Sequence, residues 1–188
     1  WTIPPCLVEG TLITLADNTT KAIEDIAMSD VLKVWDFDNA VSATAPVLWI
    51  KKKQTTIQHN LCKFSDGSEL RTVGQHRIFN KQAGKFTYPM TDDTPIGTIT
   101  VKEDGTEVTL TDKSVVYSTV NYYNVVTNQH INCYANGILT SNRYNNAYPI
   151  ADMQYVKTGR TPRDRAEFAG IADRWIDGLR LTEQTYDI

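Results

Sequence analysis

The stretch Leu61-Cys62-Lys63-Phe64-Ser65-Asp66-Gly67-Ser68-Glu69-Leu70-Arg71-Thr72-Val73 decides the fold class. Its two flanks are short runs rich in apolar residues, and its centre is a polar turn sequence built on Asp66-Gly67. An Asp-Gly pair between two such runs is a strong signal for a β-hairpin. The stretch therefore predicts two antiparallel strands joined by a tight turn.

The same pattern recurs on both sides of this hairpin. Residues 31–37 alternate between apolar and polar side chains with a period of two. Glu103-Asp104-Gly105 forms a second turn signal between the strand-like residues 96–101 and 107–110. Short strands with turn signals at this spacing are typical of all-β proteins. We therefore predict an all-β fold over residues 7–141.

The C-terminal part of the chain has a different pattern. Thr161-Pro162 is typical of a helix start, with threonine as the N-cap and proline at the first helical position. Apolar side chains then recur on one helical face at Phe168, Ala172, Trp175, Ile176 and Leu179. We place a boundary at Asn142 and predict one helix in the extension formed by residues 143–188. Its apolar face would pack against the β body or, as the alternative, dock a partner.

The composition argues against several classes of protein. A net charge of −3 gives no general footprint for nucleic acid, and no apolar run approaches the ~20 residues that a membrane span needs. The three cysteines are too few and too scattered for a disulfide framework, and no Cys-x-x-Cys or His-Glu-x-x-His spacing indicates a metal site. Neither a Walker loop nor a Rossmann glycine pattern occurs. We expect a monomer that needs no metal, cofactor, nucleic acid or membrane.

The chain opens with Trp1-Thr2-Ile3-Pro4-Pro5, which contains no Met and no basic region followed by an apolar stretch. We expect it to be a piece cut from a longer polypeptide. Unpaired thiols suit an intracellular protein. The general style of the sequence leaves a component of a phage structural protein as the alternative.

Three segments, taken in order, resemble the Hint family, which comprises the inteins and the C-terminal domains of hedgehog proteins. The first begins at Cys6 and continues through Gly10-Thr11 into a strand-like run. The second runs from Gly67 to His76, and the third covers residues 123–142. The resemblance implies that residues 6–142 form a horseshoe-shaped β domain similar to inteins or bacterial intein-like domains.

In this family a nucleophile attacks the carbonyl group just before it and converts an amide into a thioester. The resemblance places that bond between Pro5 and Cys6, and a thiol suits the step because its thiolate is a strong nucleophile near neutral pH. His76 would protonate the leaving nitrogen, and Thr72 would polarise or distort the amide. Residues 1–5 would then be an extein-like flanking segment, so that the chain's own flanking polypeptide is the substrate.

The second reaction implied by the resemblance is cyclisation of a terminal asparagine. The side-chain nitrogen of Asn142 would attack its own carbonyl carbon and cut the bond to Arg143. His130 is a candidate helper, and proximity supplies most of the rate because the attack is intramolecular.

Several positions depart from the family pattern. Val73 stands three residues before His76, where the family has threonine, so either the loop has an extra residue or the threonine role is lost. Ser141 stands where a histidine is usual, and Arg143 replaces the Cys, Ser or Thr that would accept the acyl group. We therefore expect self-cleavage rather than ordinary splicing.

Other functions also fit this sequence. The domain could be a non-cleaving structural or interaction module of a larger protein, such as a phage tail component. A hedgehog-like domain that hands its thioester to a sterol fits less well, because the tail is short and has a single apolar helical face.

Three further sets of residues have plain structural interpretations. Lys51-Lys52-Lys53 is expected to be a solvated strand edge, and His59 a surface residue. Cys133 is expected to be buried, with redox pairing to Cys6 as the alternative.

Overall fold

The structure, a computed structural model, describes residues 5–142 apart from the side chain of Lys52. This part of the chain contains strands and a single 3-10 turn, Ile23–Asp25, so the all-β prediction is confirmed. The predicted helix and residues 1–4 lie outside the described residues. The strands, in chain order, are β1 Cys6–Val8, β2 Leu12–Thr14, β3 Thr20–Ala22, β4 Val31–Asp36, β5 Val41–Thr56, β6 His59–Phe64, β7 Glu69–Val73, β8 Ile78–Asn80, β9 Lys85–Thr87, β10 Ile99–Val101, β11 Glu107–Val116, β12 Val120–Thr127, β13 Asn132–Ala135 and β14 Ile138–Ser141.

Both predicted Asp-Gly hairpins are present. In the first, Cys62 of β6 pairs with Leu70 of β7, and Asp66 Oδ1 accepts hydrogen bonds from the Ser68 backbone N–H at 3.0 Å and its hydroxyl at 2.6 Å. The second joins β10 to β11, and there Asp104 Oδ1 accepts the Thr106 N–H at 2.9 Å. These short side-chain bonds replace backbone pairing inside the turn, which is why aspartate is favoured there.

The strands form two antiparallel sheets. One has eight strands in the order β10-β11-β6-β7-β1-β12-β5-β4, and the other has six in the order β3-β2-β13-β14-β8-β9. The main apolar core draws on both sheets and includes Leu7, Ile13, Leu32, Leu70, Val125 and Ile138. Burying each such side chain contributes roughly 1.5–3 kcal/mol before entropic costs.

The topology brings both ends of the described region into the interior. Strand β1 lies between β7 and β12, with Cys6 opposite Val73 and Leu7 opposite both Thr72 and Tyr123. Strand β14 pairs with β13 and β8 in the other sheet. The paired strands β1 and β14 therefore position Cys6, the first residue of β1, and Asn142, which directly follows β14.

Candidate functional site

Cys6 is the first residue of β1 and is fully buried. Its side chain belongs to a small cluster with Val8, Val73 and Tyr122, which we call the Cys6 face. Burial raises the pKa of the Cys6 thiol to about 12, and the positive charge of Lys51 acts in the opposite direction. The thiol is therefore protonated at neutral pH, and a role as nucleophile would require a neighbouring group to promote loss of its proton.

Thr72 does not share the Cys6 face. It lies opposite Leu7, whereas Val73 lies opposite Cys6. Because side chains alternate along a strand, the Thr72 side chain points to the same side of the sheet as Leu7, away from the thiol. Its hydroxyl is buried and has no hydrogen-bond partner in the described part of the chain. The structure therefore places Thr72 on the other face of the sheet from Cys6, and its role stays a prediction.

His76 is buried, with 1% of its surface exposed, in the segment that connects β7 to β8. Three residues before it, Val73 faces Cys6 across the β1–β7 pair. On its other side, the Arg77 carbonyl accepts the backbone N–H of Ser141 at 3.1 Å. The segment that carries His76 therefore begins beside Cys6 and continues beside the end of β14.

The side chain of Asn142 is enclosed and 1% exposed. Its Nδ2 donates to the Asn132 carbonyl at 3.1 Å and to Thr127 Oγ1 at 3.3 Å, and its backbone N–H donates to the Ile131 carbonyl at 3.3 Å. The Cys133 thiol also contacts this amide, although burial dominates and raises the pKa of Cys133 to about 11. Neither Thr127 nor Asn132 was predicted as a site residue from the sequence.

His130 occupies the turn between β12 and β13 and is partly exposed. It has a positive φ of 66°, as does the next residue, Ile131, at 39°. A left-handed φ is uncommon for a β-branched residue, so this turn is strained. The His130 carbonyl accepts a hydrogen bond from Asn132 Nδ2 at 2.6 Å. The turn is thereby connected to Asn132, whose backbone carbonyl accepts a hydrogen bond from Asn142 Nδ2.

Two sequence interpretations are wrong. His59 is 2% exposed rather than at the surface, and Arg71 Nη1 lies 2.9 Å from its Nε2. Burial, followed by the nearby Arg71 charge, lowers the pKa of His59. Lys51 is 8% exposed rather than solvated, although Lys53 of the same run is exposed.

The expected burial of Cys133 is confirmed. Cys6, Cys62 and Cys133 are all free thiols. Within residues 5–142, no three His, Cys, Asp or Glu side chains group as metal ligands would, and no helix has the length and apolar character to cross a bilayer.

Comparison by sequence identifies no relative, because no family model and no curated protein matches the chain. Comparison by structure identifies similar proteins. A bacterial intein-like domain from Clostridium thermocellum superposes with a TM-score of 0.64 at 20% identity, covering 73% of this chain and 98% of that one.

Two inteins superpose over a similar share of the chain. The gp41-1 intein gives a TM-score of 0.59 at 17% identity and covers 73% of this chain and 98% of its own. A DnaB intein from Synechocystis sp. PCC 6803 gives 0.61 at 13% identity, covering 74% and 99%. Such identities carry the fold but not the activity. The described region of this chain therefore has the Hint/intein-like β fold.

Proposed function

We propose that residues 6–142 form an autoprocessing domain that cuts its own chain before Cys6. In this reaction the Cys6 sulfur attacks the Pro5 carbonyl carbon, a C–S bond forms and the C–N bond breaks. The thiol proton is transferred to the departing nitrogen, which becomes the free amino group of Cys6. Water or an added nucleophile then cleaves the thioester and regenerates the thiol.

The observation that carries this proposal is the position of Cys6 in an intein-like sheet. It is the first residue of a central strand, it is fully buried, and it lies opposite the residue from which the His76 segment departs. Enclosing a nucleophile and a candidate acid in one dry site strengthens the electrostatic interactions between them and the reacting atoms. We assign His76 the role of proton donor to the leaving nitrogen and give the Thr72 side chain no part in this step.

We propose a separate cut after Asn142. Its Nδ2 would attack its own carbonyl carbon and close a succinimide ring. The C–N bond to residue 143 breaks, and the proton lost by Nδ2 passes to the departing nitrogen. The bonds from Nδ2 to Asn132 and Thr127 restrict the side chain, and such restriction favours an intramolecular attack. In this scheme residues 1–5 and 143–188 are flanking segments, and they are not ligated because Arg143 has no hydroxyl or thiol.

A comparison of intact masses tests the first cut. The full chain is incubated with and without dithiothreitol, alongside Cys6→Ala and the control Cys62→Ala, which removes another buried thiol. We expect fragments that begin at Cys6 in wild type and Cys62→Ala but not in Cys6→Ala. An unbroken chain under all conditions would overturn the proposal.

A non-cleaving structural or interaction module is the second candidate. The protonated state of the Cys6 thiol favours this candidate, because burial raises its pKa and a protonated thiol is a poor nucleophile. Proline before the scissile bond also stiffens the group that must be attacked. An intact mass in the presence of dithiothreitol would support this candidate.

A further inference from the structure

Lys51 is a buried cation that the scheme above does not use. It lies in β5, and 8% of its surface is exposed, whereas Lys53 two positions along is exposed. A buried ammonium loses its hydration and is costly unless a partner compensates for it. Burial accordingly lowers the pKa of Lys51. A lysine held in this way needs a physical explanation.

The sheet register places Lys51 in the same row as Cys6. Strand β12 separates β1 from β5, and Leu7 faces Tyr123 while Val8 faces Tyr122. Extending the β1–β12 register by one residue places Asn124 of β12 opposite Cys6 of β1. On its other side, Asn124 pairs with Lys51 of β5. The row therefore runs Cys6, Asn124, Lys51 across three strands, a span of about 10 Å between the outer Cα atoms.

Residues in one row of a sheet point to the same side, so Lys51 projects onto the Cys6 face. The alternation along β5 agrees, because Ile50 packs against the main core on the opposite side. A four-carbon side chain lying across the intervening strand carries its charge towards the thiol.

Among the residues that the structure describes, few titratable groups act on this thiol. Lys51 approaches it from β5 and the phenol of Tyr122 from β12, while β7 presents Val73 and leads to His76 three residues later. The Lys51 charge lowers the pKa of Cys6, and Cys6 in turn raises that of Lys51, although burial is the larger influence on both.

We propose that Lys51 activates Cys6 by stabilising its thiolate inside the sheet. The proposal rests on the autoprocessing function above and adds an electrostatic residue to it. The thiol proton passes through His76 to the Cys6 nitrogen that departs from Pro5, and the buried ammonium compensates the charge left on sulfur until the C–S bond to Pro5 forms. Lys51 acts through the nucleophile and contacts no substrate atom in this scheme, so it is a positioning residue.

Competitive alkylation tests this role without requiring any cleavage. The full chain is treated with a limiting amount of iodoacetamide at roughly pH 8.5, where thiolate supply limits the rate. Mass spectrometry of digested protein then gives the ratio of modified Cys6 to modified Cys62. Both thiols are buried in the same molecule. A change in how often the whole protein unfolds therefore affects both of them and cancels in the ratio.

We expect Lys51→Met to lower this ratio about tenfold, which corresponds to one pKa unit. Lys51→Arg keeps the charge and should stay within about threefold of wild type, and Lys53→Met should leave the ratio unchanged. Lys51→Gln serves as the second neutral variant if Lys51→Met does not fold. A ratio within about twofold of wild type in the folded neutral variant, or an equal loss in Lys53→Met, would overturn the proposal.

Hydroxylamine cleavage measured on the same samples separates the two hypotheses. If no variant cleaves but the ratio falls as expected, the autoprocessing function fails while the Lys51–Cys6 interaction stands. If wild type cleaves and the ratio does not respond to Lys51, the function stands and the role of Lys51 is rejected.

Discussion

The backbone N–H of Ser141 donates to the carbonyl oxygen of Arg77 at 3.1 Å, and this bond ties the end of β14 to the segment that carries His76. Arg77 follows His76 directly, and Ser141 directly precedes Asn142. The register between β8 and β14 agrees with this bond. Thr140 lies opposite Ile78, and continuing the antiparallel register by two residues places Asn142 opposite His76. The segment that carries His76 therefore runs from beside Cys6, the candidate nucleophile, to beside Asn142, the candidate cyclising residue.

His76→Ala is expected to slow both cuts. Removing a positioned general acid typically costs about 10²–10⁴ in rate. A time course of intact masses measures the two cuts separately, and His59→Gln is the control because His59 is buried against Arg71 instead. Unchanged rates at both bonds in His76→Ala would refute the shared role.

Asn142→Ala is expected to abolish the cut after position 142 and to leave the cut before Cys6 unchanged. Thr127→Val removes a hydroxyl that contacts the Asn142 amide at 3.3 Å, so it should slow the same cut several-fold without abolishing it. The diagnostic product is a fragment that ends in a succinimide, detected by its mass. Loss of the first cut in Asn142→Ala would contradict the independence of the two reactions.

Thr72→Val is expected to be neutral or to stabilise the fold by up to ~1 kcal/mol, because it removes a buried hydroxyl with no partner among the described residues. Urea unfolding measures this, with Thr127→Val as the contrasting variant that loses a bonded hydroxyl. Cleavage before Cys6 should be unaffected. A destabilisation equal to that of Thr127→Val, or a loss of cleavage, would restore a role for this side chain.

Stability is expected to fall in alkali. Burial raises the pKa of Cys6 and Cys62 from 9.0 to about 12 and that of Cys133 to about 11. The unfolded chain therefore releases these protons first, so the stabilisation is complete below pH ~9 and declines as pH rises towards the folded values. Each thiol contributes a slope of up to ~1.4 kcal/mol per pH unit.

Urea unfolding under reducing conditions at pH ~8 and ~10.5 tests this dependence. Cys62→Ala should be less stable overall but should lose less stability between the two pH values, since one raised thiol is gone. Equal stability of wild type at both pH values would contradict the buried, protonated state of the cysteines.

The sequence predicts the fold class because turn chemistry is local. Asp66-Gly67 and Asp104-Gly105 specify their hairpins through bonds within a few residues, and both form as expected. The short strands β8 and β9 lack an Asp-Gly signal. The hairpin that Asn136-Gly137 forms between β13 and β14 was not predicted, although an Asn-Gly pair is a strong local signal. The pairing of β8 with β14 depends on a partner distant in the chain.

The site was harder to predict because it depends on register. A shift of one residue moves a side chain to the other face of a sheet, and only the β1–β7 pairing reveals that Val73 rather than Thr72 faces Cys6. Lys51 was misassigned for the same reason, since a run of lysines carries no information about which of them points inward. Cys6, His76 and Asn142 could be named from motifs, whereas Thr127 and Asn132 became visible only through contacts with Asn142.

Chemical identification of the acyl group on Cys6 tests the central claim most directly. The full chain is treated with hydroxylamine at neutral pH, and the released N-terminal peptide is sequenced by tandem mass spectrometry. We predict a peptide of residues 1–5 that carries a hydroxamate on the Pro5 carbonyl, present in wild type and absent in Cys6→Ala. Release of no such peptide, or its equal release from Cys6→Ala, would contradict a thioester between Pro5 and Cys6.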